Sequence, residues 1–133
     1  MTLLLRQAVL PLAIFAGPLL AGGLTPSERQ AGAELYQRCQ GCHALAYDRT
    51  GPRHCGLFGR RAGSLEGYGY SQAMRDANIV WSRRTLDRFL AGPLEMIPGT
   101  TMGYAGIAEP SQRVLLIGYL EWASTLATLC PNQ

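Results

Sequence analysis

Residues 39–43 read Cys39-Gln40-Gly41-Cys42-His43. The pattern C-x-x-C-H is the attachment signature of a c-type haem. Two residues between the thiols let both sulfurs reach one edge of a porphyrin, where each adds to a vinyl group. His43 then lies beside the ring, in place to offer its imidazole to the iron. Two other readings of the pentapeptide meet obstacles. A zinc site needs a second ligand pair at suitable spacing, and only His54, Cys55 and the distant Cys130 remain to supply it. A thioredoxin-like redox pair belongs among alternating strands and helices, whereas the flanks here are helical or glycine-rich.

Upstream, the chain opens Met1-Thr2-Leu3-Leu4-Leu5-Arg6, runs apolar from Ala8 to Leu20 and continues Ala21-Gly22-Gly23. A positive start, a short apolar stretch and small residues at its end form a secretory signal peptide, with cleavage expected after Gly23. The alternative is a retained anchor, but a membrane span needs about 20 apolar residues, and Pro11 and Pro18 interrupt this run. Membrane contact is expected only if the segment is kept. Either way the rest of the chain is expected outside the cytoplasm, in the periplasm, where covalent haem attachment and disulfides are both possible.

Cleavage of residues 1–23 from the 133 leaves 24–133 as one domain. So small a chain buries a limited core, and a haem at its centre supplies a large apolar partner. Every basic residue is arginine, and the formal net charge is +3, falling to +2 when Arg6 is removed. Arg60-Arg61 and Arg83-Arg84 are only pairs, so the concentrated basic face of a nucleic-acid protein is missing.

Thr25-Pro26-Ser27-Glu28 predicts a helix start: a threonine cap, proline at the first position and glutamate three residues after the cap. That helix would turn Ala31, Leu35 and Tyr36 inward and run up to Cys39, with Gly32 open to close approach by another helix. Residues 47–69, rich in glycine and arginine, read as loops wrapping something. A short helix is expected over 71–77. Ser82 caps a third helix carrying Leu86, Phe89 and Leu90 on one face, stopped by Gly92-Pro93. Residues 98–106 read as a loop. Pro110 opens the last helix, expected through about Leu126, with Leu115, Tyr119 and Trp122 on one stripe and Leu116 and Leu120 beside it. No segment alternates over any length, so the fold class is all-α.

The chain resembles the class I cytochromes c, the group of mitochondrial cytochrome c and bacterial cytochrome c2. Beyond residues 39–43 the likeness runs through Gly51-Pro52, Leu57-Phe58-Gly59-Arg60, Gly67-Tyr68-Gly69-Tyr70-Ser71 and Trp81. It continues through Pro98-Gly99-Thr100-Thr101-Met102, Tyr104-Ala105-Gly106-Ile107 and Leu116-Ile117-Gly118-Tyr119-Leu120. The order and spacing match the group, apart from a shorter loop between His43 and Pro52.

The resemblance implies a cytochrome c fold, a small helical domain wrapped around one covalently attached haem. Cys39 and Cys42 would hold the haem (heme c, with iron) by thioethers, and His43 and Met102 would be the axial ligands of the metal. The Pro52 carbonyl would accept a hydrogen bond from the far nitrogen of His43. Arg60, Tyr70 and Trp81 would surround the propionates, Thr100 would bond near the methionine side, and Tyr104 would lie near the exposed haem edge. Tyr70 and Trp81 also read as plain packing residues, and His54 as a solvated loop residue. A one-electron carrier without enzymatic activity is implied: methionine paired with histidine raises the potential, and filled axial positions leave no open site for substrate. The rival reading is a haem subunit or tethered electron-transfer domain of a larger oxidoreductase.

Three departures from the group matter. The group's lysine ring around the haem edge is replaced here by Leu94, Glu95, Thr101, Ala108 and Glu109, so electrostatic steering of partners is expected to be weak. The implied partners are redox proteins, among them a cytochrome bc1-type complex, a terminal oxidase or a periplasmic dehydrogenase, met by a monomer. Phe89 stands where the group has a tyrosine, which removes a hydroxyl near the methionine sulfur. Cys55 and Cys130 are unusual for the group, and in an exported protein such a leftover pair points to a disulfide.

Overall fold

The computed structural model describes residues 23–131, so the export segment read over 1–23 lies, Gly23 apart, outside the described residues. Five helices follow in order: α1 Pro26–Tyr36, α2 Gln72–Asp76, α3 Arg83–Ala91, α4 Pro93–Met96 and α5 Pro110–Ser124. Among the described residues the one trace of sheet is an isolated antiparallel bridge between Arg61 and Val80. No described helix is long and apolar enough to cross a membrane.

The start of α1 is the reciprocal cap read from the sequence. The Glu28 N–H donates to the Thr25 hydroxyl at 3.3 Å, and the Thr25 N–H donates to the Glu28 carboxylate at 2.7 Å. That carboxylate is held below its usual pKa by the two bonds from Thr25, backbone first. The helix ends earlier than expected. Beyond Tyr36 the chain tightens into turns, with the Cys39 N–H donating to the Tyr36 carbonyl at 2.8 Å and the Cys42 N–H to the Cys39 carbonyl at 3.1 Å. This winding keeps the two thiols on one short, tightly wound stretch instead of spreading them along an open helix.

Helices α1 and α5 cross at Gly32. A β-carbon there would fall 2.5 Å from the Leu115 carbonyl oxygen and 2.6 Å from the Tyr119 β-carbon. Leu115, Tyr119 and Trp122 are half-buried, while Leu116 and Leu120 are the deep positions of α5. The two stripes thus exchange ranks: the first packs against α1 and the second faces the interior. Helix α5 stops at Ser124 rather than Leu126, because the Thr125 hydroxyl donates to the Trp122 carbonyl at 2.7 Å and caps the end.

Ser71 and Ser82 cap α2 and α3, each accepting from an N–H three residues on. Gly92-Pro93 ends α3, and Pro93 also opens the one-turn α4. Arg113, nearly buried on α5, donates to Asp87 of α3 at 2.7 Å and to the Ile107 and Ala108 carbonyls at 2.8 and 2.9 Å. It ties the exit of the 98–106 loop to both helices. Cys55 and Cys130 sit with α-carbons 5.5 Å apart and sulfurs within bonding distance.

Gly32→Ala is expected to force the α1–α5 crossing apart, since its new β-carbon meets backbone and a β-carbon, neither of which can swing away. Overpacking of this kind costs about 1–3 kcal/mol. Denaturant unfolding of the variant beside the parent checks it, and an unchanged midpoint would show that the crossing has slack.

Candidate functional site

The helices and the loops between them enclose a cavity of about 460 Å³, within the usual size range of cofactor sites. All ten candidate residues line it: Cys39, Cys42, His43, Pro52, Arg60, Tyr70, Trp81, Thr100, Met102 and Tyr104. Apolar wall comes from Leu86, Phe89 and Leu90 of α3 and from Leu116 and Leu120 of α5. The α3 stripe read from the sequence is thus cavity wall as well as core.

Cys39 and Cys42 are both free thiols, Cys39 partly buried and Cys42 exposed. Burial pushes the Cys39 thiol up to about 11, with Arg38 opposing and Cys42 adding a little. At neutral pH Cys39 is protonated and a poor nucleophile.

His43 is fixed on two sides. Its Nδ1 lies 2.8 Å from the Pro52 carbonyl oxygen. A carbonyl only accepts, so Nδ1 carries the proton and Nε2 is left with its lone pair. Burial depresses the imidazole pKa, partly offset by the Pro52 bond. Gly51 closes in on the Cε1 corner: a β-carbon there would fall 2.3 Å from Cε1 and 2.6 Å from both ring nitrogens. Gly51-Pro52 therefore acts as a unit, the glycine making room for the ring and the proline carbonyl orienting it.

Thr100 is buried, and its hydroxyl accepts from the Met102 N–H at 3.3 Å. Gly99, with φ of +90°, and Gly106, with φ of +97°, turn the chain on either side of Met102. The Ile107 N–H then donates to the Leu90 carbonyl at 2.8 Å, anchoring the far end of the loop on α3.

Arg60 donates to the Arg53 carbonyl at 2.9 Å and the Cys55 carbonyl at 3.2 Å, which leaves part of its fork of N–H groups uncommitted. Burial lowers its pKa and raises that of Tyr70, while each opposes the other's shift. Trp81 is buried against Phe89, with ring centroids 5.1 Å apart. All three line the cavity, so packing and polar roles coincide in the same side chains.

Three residues at the cavity escaped the sequence reading. Tyr68 packs edge-on against Tyr70 at 4.6 Å and donates its hydroxyl to the Thr50 carbonyl. Met74 of α2, part of the buried core, also lines the cavity. His54 is not a solvated loop residue. Its ring stacks on His43 at 4.4 Å between centroids, and its Nδ1 lies 3.1 Å from the Tyr36 hydroxyl. Burial, with His43 and Arg60 adding, drives its pKa down to about 3, so the ring is neutral. Its place directly after Pro52-Arg53 was the one available signal.

The zinc reading gains no site here, since the Cys55 sulfur lies against that of Cys130 and the His54 Nδ1 against the Tyr36 hydroxyl. No group of three or more His, Cys, Asp or Glu among the described residues is disposed to hold a metal ion. The donor set fits a haem instead: two thiols beside an imidazole with a free lone pair, a thioether on the same cavity, and apolar walls between.

An all-α domain closed around such a cavity defines a small covalent haem protein. No family model matches the chain. It is 39% identical over 103 residues to the cytochrome c of Cochliobolus lunatus, a match spanning 74% of this chain and 95% of that protein. The cytochrome c of Arabidopsis thaliana is 40% identical over 98 residues, spanning 71% and 88%. Among solved structures, cytochrome cH from Methylobacterium extorquens matches with a TM-score of 0.68 at 32% identity, covering 71% of this chain and 97% of that one. The chain belongs to the class I cytochromes c, and it is a haem-based electron carrier holding one covalent c-type haem with iron.

Gly51→Ala is expected to push the imidazole off the Pro52 carbonyl, at a cost of about 1–3 kcal/mol from overpacking. The Nδ1 proton should exchange faster by NMR in the variant than in the parent, and an unchanged rate would count against the tight Gly51 contact.

Proposed function

We propose that this protein is a monomeric one-electron carrier of the periplasm, with His43 and Met102 as axial ligands of its haem iron. The observation that carries the reading is the His43–Pro52 hydrogen bond: it commits Nδ1 as donor and leaves Nε2 as the ligand atom, on a cavity that Met102 also lines. The bound haem supplies a one-electron iron couple whose potential a His/Met pair raises. The chain's own residues set the rest. The Thr100 bond holds the backbone of Met102 in place. Phe89 offers the methionine sulfur no hydroxyl, so the thioether keeps its electron density for the metal. Arg60, Tyr70 and Trp81 partner the propionates and temper their charge. Were His43 and Met102 both to hold the iron, no coordination site would be left open for substrate.

The apolar segment ahead of Gly23 supports export. The partners in this reading are redox proteins, such as a bc1-type complex, a terminal oxidase or a periplasmic dehydrogenase, which meet a face without lysine. Redox titration with visible and near-infrared spectra tests the proposal. The oxidised protein should show the far-red band of iron–methionine ligation. Met102→His should abolish that band and lower the potential by on the order of 0.1–0.3 V, within the ~0.8 V span set by axial ligands. A band that survives the substitution would remove Met102 from the ligand set.

The reading includes a disulfide between Cys55 and Cys130. Their α-carbon separation of 5.5 Å lies in the range a bridge allows, and the sequence separation is 75. On the chain-entropy estimate a loop of that length is worth about 4–5 kcal/mol. Alkylation of the denatured, unreduced holoprotein should modify neither cysteine, and two modified thiols would exclude the bridge.

A further inference from the structure

We propose that His54 is a positioning residue that fixes the plane of the His43 imidazole. The inference rests on His43 being an axial ligand. An imidazole bound to iron through Nε2 keeps one soft freedom, rotation about the iron–nitrogen axis. The Pro52 carbonyl limits this only loosely, since a carbonyl accepts over a broad range of directions. Gly51 backs the face of the ring over its Cε1 end but has no side chain with which to impose a direction. The flat, directional surface against the ring is that of His54, whose own ring lies 4.4 Å away at an interplanar angle of 19°.

His54 is itself held on several sides. The Tyr36 hydroxyl lies 3.1 Å from its Nδ1. Tyr36 is 2% exposed and packs on Tyr119 at 5.6 Å. The His54 N–H is shared between the Ala44 and Leu45 carbonyls, both at 3.1 Å, so the backbone just after His43 grips the backbone of His54. The two rings are thus carried on cross-tied arms of one loop.

An aliphatic side chain could fill this half-buried slot without needing a polar partner. A histidine there costs desolvation, which the Tyr36 bond offsets. What the polar pair adds is orientation: a bonded ring has one preferred plane, and an aliphatic group has none to impose. Groups that orient a metal ligand from outside also change metal affinity, by roughly 10–100-fold in known cases.

The test uses the holoprotein and the variants His54→Leu, His54→Phe and Tyr36→Phe. The readouts are the haem methyl proton shifts of the oxidised form, its EPR g values, the midpoint potential and the thermal midpoint. Methyl shifts and g values report the ligand plane directly. His54→Leu should reorder the methyl shifts and move the potential, whereas His54→Phe, which keeps a flat ring, should restore the parent order. Tyr36→Phe, which frees the ring of His54, should spread the shifts in the same sense as His54→Leu but less. If His54→Leu, or Tyr36→Phe where the former does not fold, lowers only the thermal midpoint and keeps the parent shifts, the positioning role is wrong. A His43→Ala holoprotein with the parent's low-spin spectrum would instead overturn the ligand assignment.

Discussion

The contact between Gly32 and the Leu115 carbonyl governs the geometry of this molecule. With no side chain between them, α1 and α5 lie backbone to backbone, and the position of each fixes the other. Helix α1 runs directly into the tight turn that holds Cys39 and Cys42, so the crossing also places the thiols relative to Leu116 and Leu120. Leu24, ahead of α1, presses on Gly118 in the same seam. The ends of the domain thus meet on one side of the cavity. The long loops have only to close around what the two helices define.

Closing those loops without a sheet leaves many backbone groups to satisfy, and arginine does much of that work. Arg60 caps the Arg53 and Cys55 carbonyls, and Arg113 caps those of Ile107 and Ala108. The Arg113 pairing with Asp87 is half-screened, because the carboxylate is 40% exposed. Its value lies less in charge than in the number of acceptors one guanidinium can reach. Among the described residues no buried side-chain nitrogen or oxygen is without a partner. A chain without lysine is consistent with this use, since an ammonium has no planar fork to bridge two carbonyls.

Local signals in the sequence were strong where the chemistry is local. The Thr25 cap, the Ser82 cap and the Gly92-Pro93 stop each lie within four residues of the group they serve, and α1 and α3 begin where the caps say. The ends of α1 and α5 were misjudged because apolar periodicity continues past the point where turn bonds take over. The candidate residues were legible through their motifs, and all of them share one cavity. His54 was not, because its environment is made by Tyr36, eighteen positions earlier, and by the fold of the loop around His43. Arg113 was missed for the same reason: only the tertiary arrangement sets Asp87 and two loop carbonyls around it.

The histidines and the cysteine also separate two demands on a covalent haem protein. Before attachment, burial keeps the Cys39 thiol protonated. The Pro52 carbonyl keeps the proton of His43 on Nδ1, which leaves the Nε2 lone pair free. Burial serves both ends by opposite signs: it raises the pKa of a thiol by disfavouring its anion and lowers that of an imidazole by disfavouring its cation. A single apolar cavity therefore holds both groups neutral, with the sulfur unreactive and the nitrogen lone pair free. The same low-dielectric surroundings that hold these groups neutral would also favour the reduced iron of a bound haem.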